Sequence, residues 1–203
     1  MQDVEAFILA GGRSSRMGRD KSLLEIGGRT FLALIGAELE RITPGGVRLV
    51  GGSGPSDHFQ RVPDIFPASG RAALVGLHAA LFHSQAPWVI IVGCDMPFVR
   101  AALFDILLSR ISPDVDAVVP VDGKGKTQPL CAVYRRDRCL AAAEAALCGN
   151  NWSLGGFLDG IKTIFVPFEE FANVADPEIL FSNINTGDDL LAAIERRKQI
   201  GEG

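Results

Sequence analysis

Positive charge is concentrated in one short segment of an otherwise acidic chain. The segment from residue 13 to residue 21 contains four cations, Arg13, Arg16, Arg19 and Lys21, and one acid, Asp20, so its net charge is +3. The whole chain of 203 residues carries −4. Gly11 and Gly12 precede the segment, and glycine lets backbone N–H groups approach a ligand without an intervening Cβ. This pattern is typical of an anion-binding loop, and a solvated surface turn is the alternative.

The glycine spacing excludes two common phosphate-binding loops. A P-loop needs four residues between its glycines and a lysine after the second. Here five residues separate Gly12 from Gly18, and Arg19 follows. The dinucleotide-binding pattern needs a residue between its first two glycines, whereas Gly11 and Gly12 are adjacent. The loop therefore belongs to another class of phosphate site.

A carboxylate follows the most continuously apolar stretch of the chain, residues 88–93. This stretch predicts a buried parallel strand, which places Asp95 at the carboxyl end, where open α/β sheets bind ligands. Mg²⁺ is commonly held by one or two carboxylates together with substrate phosphates. Capping of a helix predicted to begin near Val99 explains an aspartate at this position equally well.

Two further polar positions are candidates for ligand contact. Asn183 and Asn185 are spaced to face the same side of an extended segment, so their carbonyl oxygens could accept from a ribose or complete a metal shell. A turn into the last helix is the alternative. Asp64 ends a short predicted strand and is either a nucleotide contact or a turn residue.

The elements that must position these residues alternate along the chain. Strands are predicted over residues 5–10, 47–50, 61–65, 88–93, 116–121, 130–134 and 162–166. Helices are predicted over residues 30–41, 72–83, 101–111, 137–148 and 188–200, the last with Thr186 as its cap. This order predicts an α/β fold in which residues 1–203 form a single, doubly wound domain with a mostly parallel sheet and helices on both faces.

The composition of the chain indicates which binding partners and which cellular compartment to expect. A pI near 5.4 argues against general binding of nucleic acid, which favours a broad basic surface. The four cysteines form no C-x-x-C pair, and no apolar run approaches the ~20 residues of a membrane-spanning helix. With no signal peptide in view, we expect a cytoplasmic protein with free thiols and no contact with membranes.

The chain resembles the molybdenum cofactor guanylyltransferases, the molybdopterin-guanine dinucleotide biosynthesis protein A family. Residues 9–21, LAGGRSSRMGRDK, match the LAGGxSxRMGxDK signature of that family at every defined position. Cys94-Asp95-Met96-Pro97 resembles its C-D-x-P metal site, Gln128-Pro129-Leu130 its central strand motif, and Asn183-Ile184-Asn185-Thr186 its N-x-N-T motif. The motifs occur in the family's order over nearly the whole chain, and they imply a Rossmann-like nucleotidyltransferase fold.

The resemblance implies that the chain transfers GMP from GTP to the terminal phosphate of molybdopterin, with release of pyrophosphate. It implies catalytic roles for Arg16, Lys21 and Asp95, with Asp95 as the Mg²⁺ ligand. The residues implied in binding the nucleotide or the cofactor are Leu9, Ala10, Gly11, Gly12, Lys21, Asp64, Asp95, Asn183 and Asn185. The implied partners are GTP and molybdopterin or the molybdenum cofactor, with transient contact to other cofactor-biosynthesis proteins or the target apoenzyme.

Some segments leave the identity of the nucleotide and of the acceptor undecided. Gly11 favours GTP, because related cytidylyltransferases have alanine there. Residues 70–76 read GRAALVG where the family usually has G-P-L-x-G near the base, and residues 149–154 lack the basic residues that often face the pterin phosphate. Lys124 and Lys126 either replace those cations or form a solvated turn. The alternatives are a cytidylyltransferase of the same pathway, a guanylyltransferase for another phosphorylated acceptor, and a non-catalytic GTP-binding subunit.

Overall fold

A computed structural model describes residues 3–10, 24–52, 59–66, 72–174 and 177–199. Its strands are β1 Val4–Leu9, β2 Glu25–Ile26, β3 Arg29–Thr30, β4 Val47–Val50, β5 Gln60–Val62, β6 Trp88–Gly93, β7 Ala117–Pro120, β8 Cys131–Arg135 and β9 Thr163–Val166. Its helices are α1 Phe31–Glu40, α2 Ala73–His83, α3 Ala101–Leu108, α4 Arg136–Cys148, α5 Leu154–Asp159, α6 Pro177–Leu180 and α7 Gly187–Gln199.

Seven strands form one sheet in the order β5-β4-β1-β6-β8-β7-β9. Every neighbouring pair is parallel except the two that involve β8, which runs antiparallel to both β6 and β7. Every residue of β6 is buried, as expected for a central strand covered on both faces. The predicted α/β fold with a mostly parallel sheet is therefore confirmed.

The reversed direction of β8 follows from the short connection before it. Parallel neighbours need a crossover of a dozen or more residues, whereas the ten residues between β7 and β8 form a hairpin. An antiparallel bridge between Val121 and Thr127 closes this hairpin. Its turn consequently lies at the same sheet edge as the carboxyl ends of β6 and β7.

Helices cover both faces of the sheet. On one face, the apolar stripes of α1 and α3 pack against the sheet through buried residues that include Ile35, Leu39, Leu103 and Phe104. On the other face, α2, α4 and α5 form a second core through residues that include Leu77, Ala143 and Phe157. No helix in the described ranges is long and apolar enough to cross a membrane.

Several short elements were not predicted from the sequence. The hairpin of β2 and β3 has two residues per strand, too few to show an alternating pattern. Helix α5 has the sequence LGGFLD, and its two glycines disfavour a helix. The helix forms because the Ser153 side chain accepts a 3.3 Å hydrogen bond from the Gly156 amide and because Phe157 is buried. Tertiary packing therefore overrides local propensity at this point.

Helix α2 carries a buried histidine. The His78 side chain is only 3% exposed, and neither ring nitrogen has a hydrogen-bond partner among the residues that the structure describes. The ring packs edge-on against Phe66, with a ring-centroid distance of 5.8 Å, and Nε2 lies 3.9 Å from the carboxylate of Glu144 on α4. Burial lowers the pKa of His78, and Glu144 only partly offsets this effect. His78 is therefore neutral near pH 7 and belongs to the core of that face.

Candidate active site at the carboxyl edge of the sheet

The carboxyl ends of β1, β4 and β6 lie side by side because these strands are parallel. The Leu9 carbonyl oxygen accepts a 3.1 Å hydrogen bond from the Cys94 amide, and the Ala10 amide donates a 2.9 Å bond to the Val50 carbonyl oxygen. Leu9 and Ala10 are both buried. The last residues before the glycine-rich loop are thus fixed directly beside the segment that carries Asp95.

Asp95 follows the end of β6, and its carboxylate lies back over the strand end. A Cβ atom at position 93 would lie 2.7 Å from its Oδ1 atom, so any other residue there would displace the carboxylate from this position. Helix capping by Asp95 is wrong, because α3 begins at Ala101. The Ala101 amide instead donates a 2.8 Å hydrogen bond to the Glu38 carboxylate of α1. The Asp95 carboxylate therefore does not serve α3.

The segment that contains the two asparagines is joined to Asp95 through the main chain. The Ile184 amide donates a 2.8 Å hydrogen bond to the Asp95 carbonyl oxygen. Nδ2 of Asn183 donates to the Phe181 carbonyl at 3.5 Å, and Nδ2 of Asn185 donates to the Asn183 carbonyl at 3.4 Å. The second and third candidate motifs, distant in sequence, thus meet at one place.

A reciprocal cap anchors the asparagine segment to α7. The Thr186 Oγ1 atom accepts a 3.1 Å hydrogen bond from the Asp189 amide. The Asp189 carboxylate accepts hydrogen bonds from the Thr186 amide at 2.8 Å and the Asn185 amide at 2.9 Å. The predicted cap at Thr186 is confirmed, and its partner carboxylate also holds the backbone of Asn185.

The Gln128-Pro129-Leu130 segment borders Asp95 on its other side. The Leu130 carbonyl oxygen accepts a 2.7 Å hydrogen bond from the Gly93 amide. The buried Tyr134 hydroxyl donates a 2.7 Å bond to the Pro129 carbonyl oxygen. Burial raises the pKa of Tyr134, so this hydroxyl keeps its proton and remains a donor. The segment is therefore fixed to β6 and to the core of β8.

The hairpin between β7 and β8 is organised by one carboxylate. Oδ1 of Asp122 accepts hydrogen bonds from the amides of Lys124 and Lys126, both at 2.9 Å. Oδ2 accepts a 2.8 Å bond from the Gln128 side chain. Burial tends to raise the pKa of Asp122, but these hydrogen bonds together hold it below its usual value. Asp122 is thus ionised near pH 7.

A cleft of about 710 Å³ separates this hairpin from the asparagine segment. Its walls include both charged and aromatic side chains, among them Asp122, Lys124, Lys126, Gln128, Phe168, Phe181, Ser182, Asn183, Ile184 and Asp189. The two lysines were candidates from the sequence, whereas Phe168 and Phe181 were not. Both aromatic residues lie in irregular or short elements with no periodic pattern to indicate them.

The remaining candidate residues are distributed as follows. Asp64 is exposed two residues beyond β5, at the same edge as Asp95 but three strands from β6, which is roughly 14 Å at the usual strand spacing. Gly11, Gly12, Arg16 and Lys21 lie outside the described residues. Residues 149–154 comprise the connection from α4 and the first residue of α5, and Trp152 packs near Phe66 on the α2 face. That segment does not line the cleft.

The carboxyl edge of the sheet carries oxygen atoms that could bind a metal, but the described ranges contain no preformed cluster of metal ligands. The described ranges contain no group of three or more histidine, cysteine or acidic side chains able to hold a metal ion. A magnesium ion that is bound largely by substrate phosphates needs only one or two protein carboxylates. Asp95 at the strand end, with the asparagine segment bonded to its main chain, fits that donor chemistry.

Comparison with known proteins identifies consistent relatives. Residues 6–157 match a family model described as a MobA-like NTP transferase domain. The chain is 34% identical over 198 residues to a "Probable molybdenum cofactor guanylyltransferase" of Pelotomaculum thermopropionicum, an alignment that covers 95% of this chain and 93% of the relative. It is 30% identical over 196 residues to the molybdenum cofactor guanylyltransferase of Desulfosudis oleivorans, with 94% of each chain covered.

Solved structures confirm the fold. Molybdopterin-guanine dinucleotide biosynthesis protein A from Archaeoglobus fulgidus superposes with a TM-score of 0.79 at 24% identity, over 96% of this chain and 99% of that chain. The 2-C-methyl-D-erythritol 4-phosphate cytidylyltransferase from Thermus thermophilus gives 0.70 at 19% identity, over 98% and 100%. The predicted nucleotidyltransferase-type α/β fold is therefore confirmed.

Proposed function

The chain belongs to the family of MobA-like NTP transferase domains, and from this premise we propose that it transfers GMP from GTP to the terminal phosphate of molybdopterin. The observation that carries the proposal is the convergence of three motifs at one sheet edge. Leu9 and Ala10 lead into the glycine-rich loop beside Cys94, and the Ile184 amide joins the asparagine segment to Asp95. The names of the aligned relatives supply the nucleotide and the acceptor.

The reaction needs positioning and charge neutralisation more than acid–base chemistry. An oxygen of the acceptor phosphate attacks the α-phosphorus of GTP, and the bond from that phosphorus to the oxygen bridging to the β-phosphorus breaks. Pyrophosphate leaves with the electron pair of that bond. The attacking phosphate oxygen is already an anion, so no general base is required. The main obstacle is the repulsion between two polyanions, which cations in the site reduce.

The residues proposed for the triphosphate lie in and beside the glycine-rich loop. Arg16 can hold phosphate oxygens bidentately, and Lys21 supplies a point charge. Leu9, Ala10, Gly11 and Gly12 would line the nucleotide site with their backbone, and Asp64 would contact the nucleoside from the edge strand. This assignment includes residues outside the described ranges and follows the family signature. We propose that residues 1–203 act as one catalytic domain.

Mg²⁺ is the metal proposed for this site. Asp95 would hold it, together with oxygens of Asn183 or Asn185. When bound, the ion supplies Lewis-acid stabilisation of phosphate charge. The protein's own contribution is to keep the Asp95 carboxylate and the asparagine segment together before any substrate arrives. GTP and molybdopterin are the proposed substrates, and the target apoenzyme or other biosynthesis proteins are the proposed transient partners.

One assay tests the proposal against its alternatives. The purified chain is incubated with Mg²⁺, molybdopterin and each nucleoside triphosphate in turn, and pyrophosphate is measured. We expect pyrophosphate with GTP only, and only when molybdopterin is present. Release with CTP would assign the chain to the cytidylyl transfer of the same pathway. GTP binding without release under any condition would favour a non-catalytic subunit and contradict the proposal.

A further inference from the structure

The cleft between the β7–β8 hairpin and the asparagine segment is lined by two lysines that the proposed chemistry does not use. Lys124 and Lys126 are exposed on its wall, and neither forms an ion pair within the part of the chain that the structure describes. Asp122 and Asp189 also line it, but amide and side-chain N–H groups occupy their carboxylates. The two lysine ammonium groups are therefore the cations in the cleft that can contact an anionic ligand.

The two lysines are held in place by the backbone beneath them. The Asp122 amide donates to the Lys126 carbonyl at 2.9 Å, and the Gly125 amide donates to the Asp122 carbonyl at 2.9 Å. Together with the carboxylate contacts of Asp122, these bonds set the turn that points along the cleft. A mobile solvated turn would not need a carboxylate that accepts three hydrogen bonds. The backbone that carries the two lysines therefore has a defined conformation.

Two aromatic residues also line the cleft, and the ring of Phe168 lies against Gly123 of the hairpin. The rings of Phe168 and Phe181 lie with their centroids 6.3 Å apart, and both residues line the cleft. Flat ligands pack favourably against aromatic side chains, which add apolar area with a defined geometry. A cleft that combines lysine cations with aromatic rings suits a heteroaromatic molecule that carries anionic groups.

The cleft also adjoins the Asp95 segment from two directions. Ile184 lines the cleft and donates to the Asp95 carbonyl. Gln128 lines it as well, and Leu130 two residues later accepts from Gly93. A ligand in the cleft would therefore lie next to the strand end where the triphosphate is proposed to bind.

We propose that this cleft binds the acceptor, with Lys124 and Lys126 contacting its anionic groups and Asp122 acting as the positioning residue of the hairpin. The inference rests on the proposed function and adds the residues that select the acceptor. It explains how the chain manages without basic residues at 149–154, since the hairpin supplies the cations from another element. The ligand class is a phosphorylated or otherwise anionic heteroaromatic compound.

The first test separates the acceptor from the nucleotide. In the double variant K124Q/K126Q, we expect the KM for molybdopterin to rise about tenfold or more, as loss of charge-assisted hydrogen bonds implies. The KM for GTP should stay within about twofold, since these side chains lie outside the donor site. K162Q is the matched control, because Lys162 is exposed at the opposite sheet edge. An unchanged KM for molybdopterin in the double variant overturns the proposal.

The second test addresses Asp122. The D122A variant should raise the KM for molybdopterin without changing that for GTP, because the turn loses its organising carboxylate. The D122N variant keeps one acceptor oxygen for the two lysine amides and should restore most of the affinity. Equal rises in both KM values for D122A would mean a general structural role and would contradict positioning.

A direct binding measurement tests the cleft independently of the proposed GMP transfer. Equilibrium ultrafiltration measures molybdopterin retained by the wild type and by K124Q/K126Q without any nucleotide. Retention by the wild type, lost in the variant and weakened by salt, supports the cleft even if no GMP is transferred. Equal retention by both proteins overturns the cleft even if transfer occurs, and absence of retention by the wild type also counts against it.

Discussion

The backbone amide of Ile184 and the backbone carbonyl of Asp95 share a 2.8 Å hydrogen bond. This bond joins the end of β6 to the segment before α7, two parts of the chain that are far apart in sequence. Because only main-chain atoms take part, the connection does not depend on the side chain at either position. Substitutions of the Asp95 side chain should therefore test chemistry with little disturbance of the local fold.

Asp95→Ala should reduce GMP transfer by at least about 100-fold, because metal ligation stabilises transition-state charge by several kcal/mol. The thermal unfolding temperature should stay near that of the wild type, since the Ile184 bond is retained. Asp105→Ala, on the exposed face of α3, is the control and should leave turnover unchanged. Wild-type turnover in Asp95→Ala would contradict the metal assignment.

Thr186→Ala should lower the free energy of unfolding by about 1 kcal/mol, the usual effect of losing an N-cap side chain. The substitution destabilises α7 because the Thr186 hydroxyl accepts a hydrogen bond from the Asp189 amide in the first turn of that helix. Chemical denaturation measures the change, and Thr186→Ser, which keeps the hydroxyl, should behave like the wild type. If both variants lost the same stability, the hydroxyl would not be the source of the effect.

His78→Leu should reduce the acid sensitivity of the protein. Folding lowers the pKa of His78 below its usual value of 6.5, so the unfolded chain takes up the proton more readily and stability falls as the pH drops below about 6.5. Between about pH 7.5 and about pH 5.5, the variant should therefore lose less unfolding free energy than the wild type.

The same substitution should be neutral or mildly stabilising, by up to about 1 kcal/mol, at the higher pH because the buried ring nitrogens have no hydrogen-bond partner in the described ranges. Denaturant titrations at several pH values measure both effects. Parallel pH profiles for the two proteins would show that His78 is not responsible for the acid sensitivity.

Gly36→Ala should destabilise the fold although alanine favours helices. A Cβ atom at position 36 of α1 would overlap the ring of Phe59, which packs partly buried against the core. Overpacking of this kind costs about 1–3 kcal/mol and helix propensity returns about 1 kcal/mol, so we expect a net loss of up to about 2 kcal/mol. Urea unfolding tests this, and Phe59→Leu combined with Gly36→Ala should recover part of the loss. Greater stability of the single variant would contradict the predicted overlap.

The sequence predicted the long elements well because burial on both faces leaves a clear signal. The apolar run 88–93 corresponds to β6 residue for residue, and the predicted helix at 72–83 differs from α2 by one residue. The same reasoning located Asp95, which follows directly from the position of a strand end. Its alternative role as a helix cap failed because Glu38, from another helix, caps α3.

The cleft could not be derived in the same way. Its aromatic wall comes from Phe168 and Phe181, which are brought together by tertiary packing of elements with no periodicity. The antiparallel direction of β8 was also absent from the prediction, since a hydrophobic run gives no information on strand direction. Without that direction, nothing in the sequence places the turn with Lys124 and Lys126 beside Asn183.

The antiparallel strand has a consequence for how this scaffold can change. A parallel strand in place of β8 would need a helical crossover, and any change in it would disturb the packing of a whole layer. A hairpin can gain, lose or exchange turn residues while both flanking strands keep their register. Acceptor preference could therefore diverge, in evolution or by grafting of turns, while the nucleotide half of the enzyme stays constant.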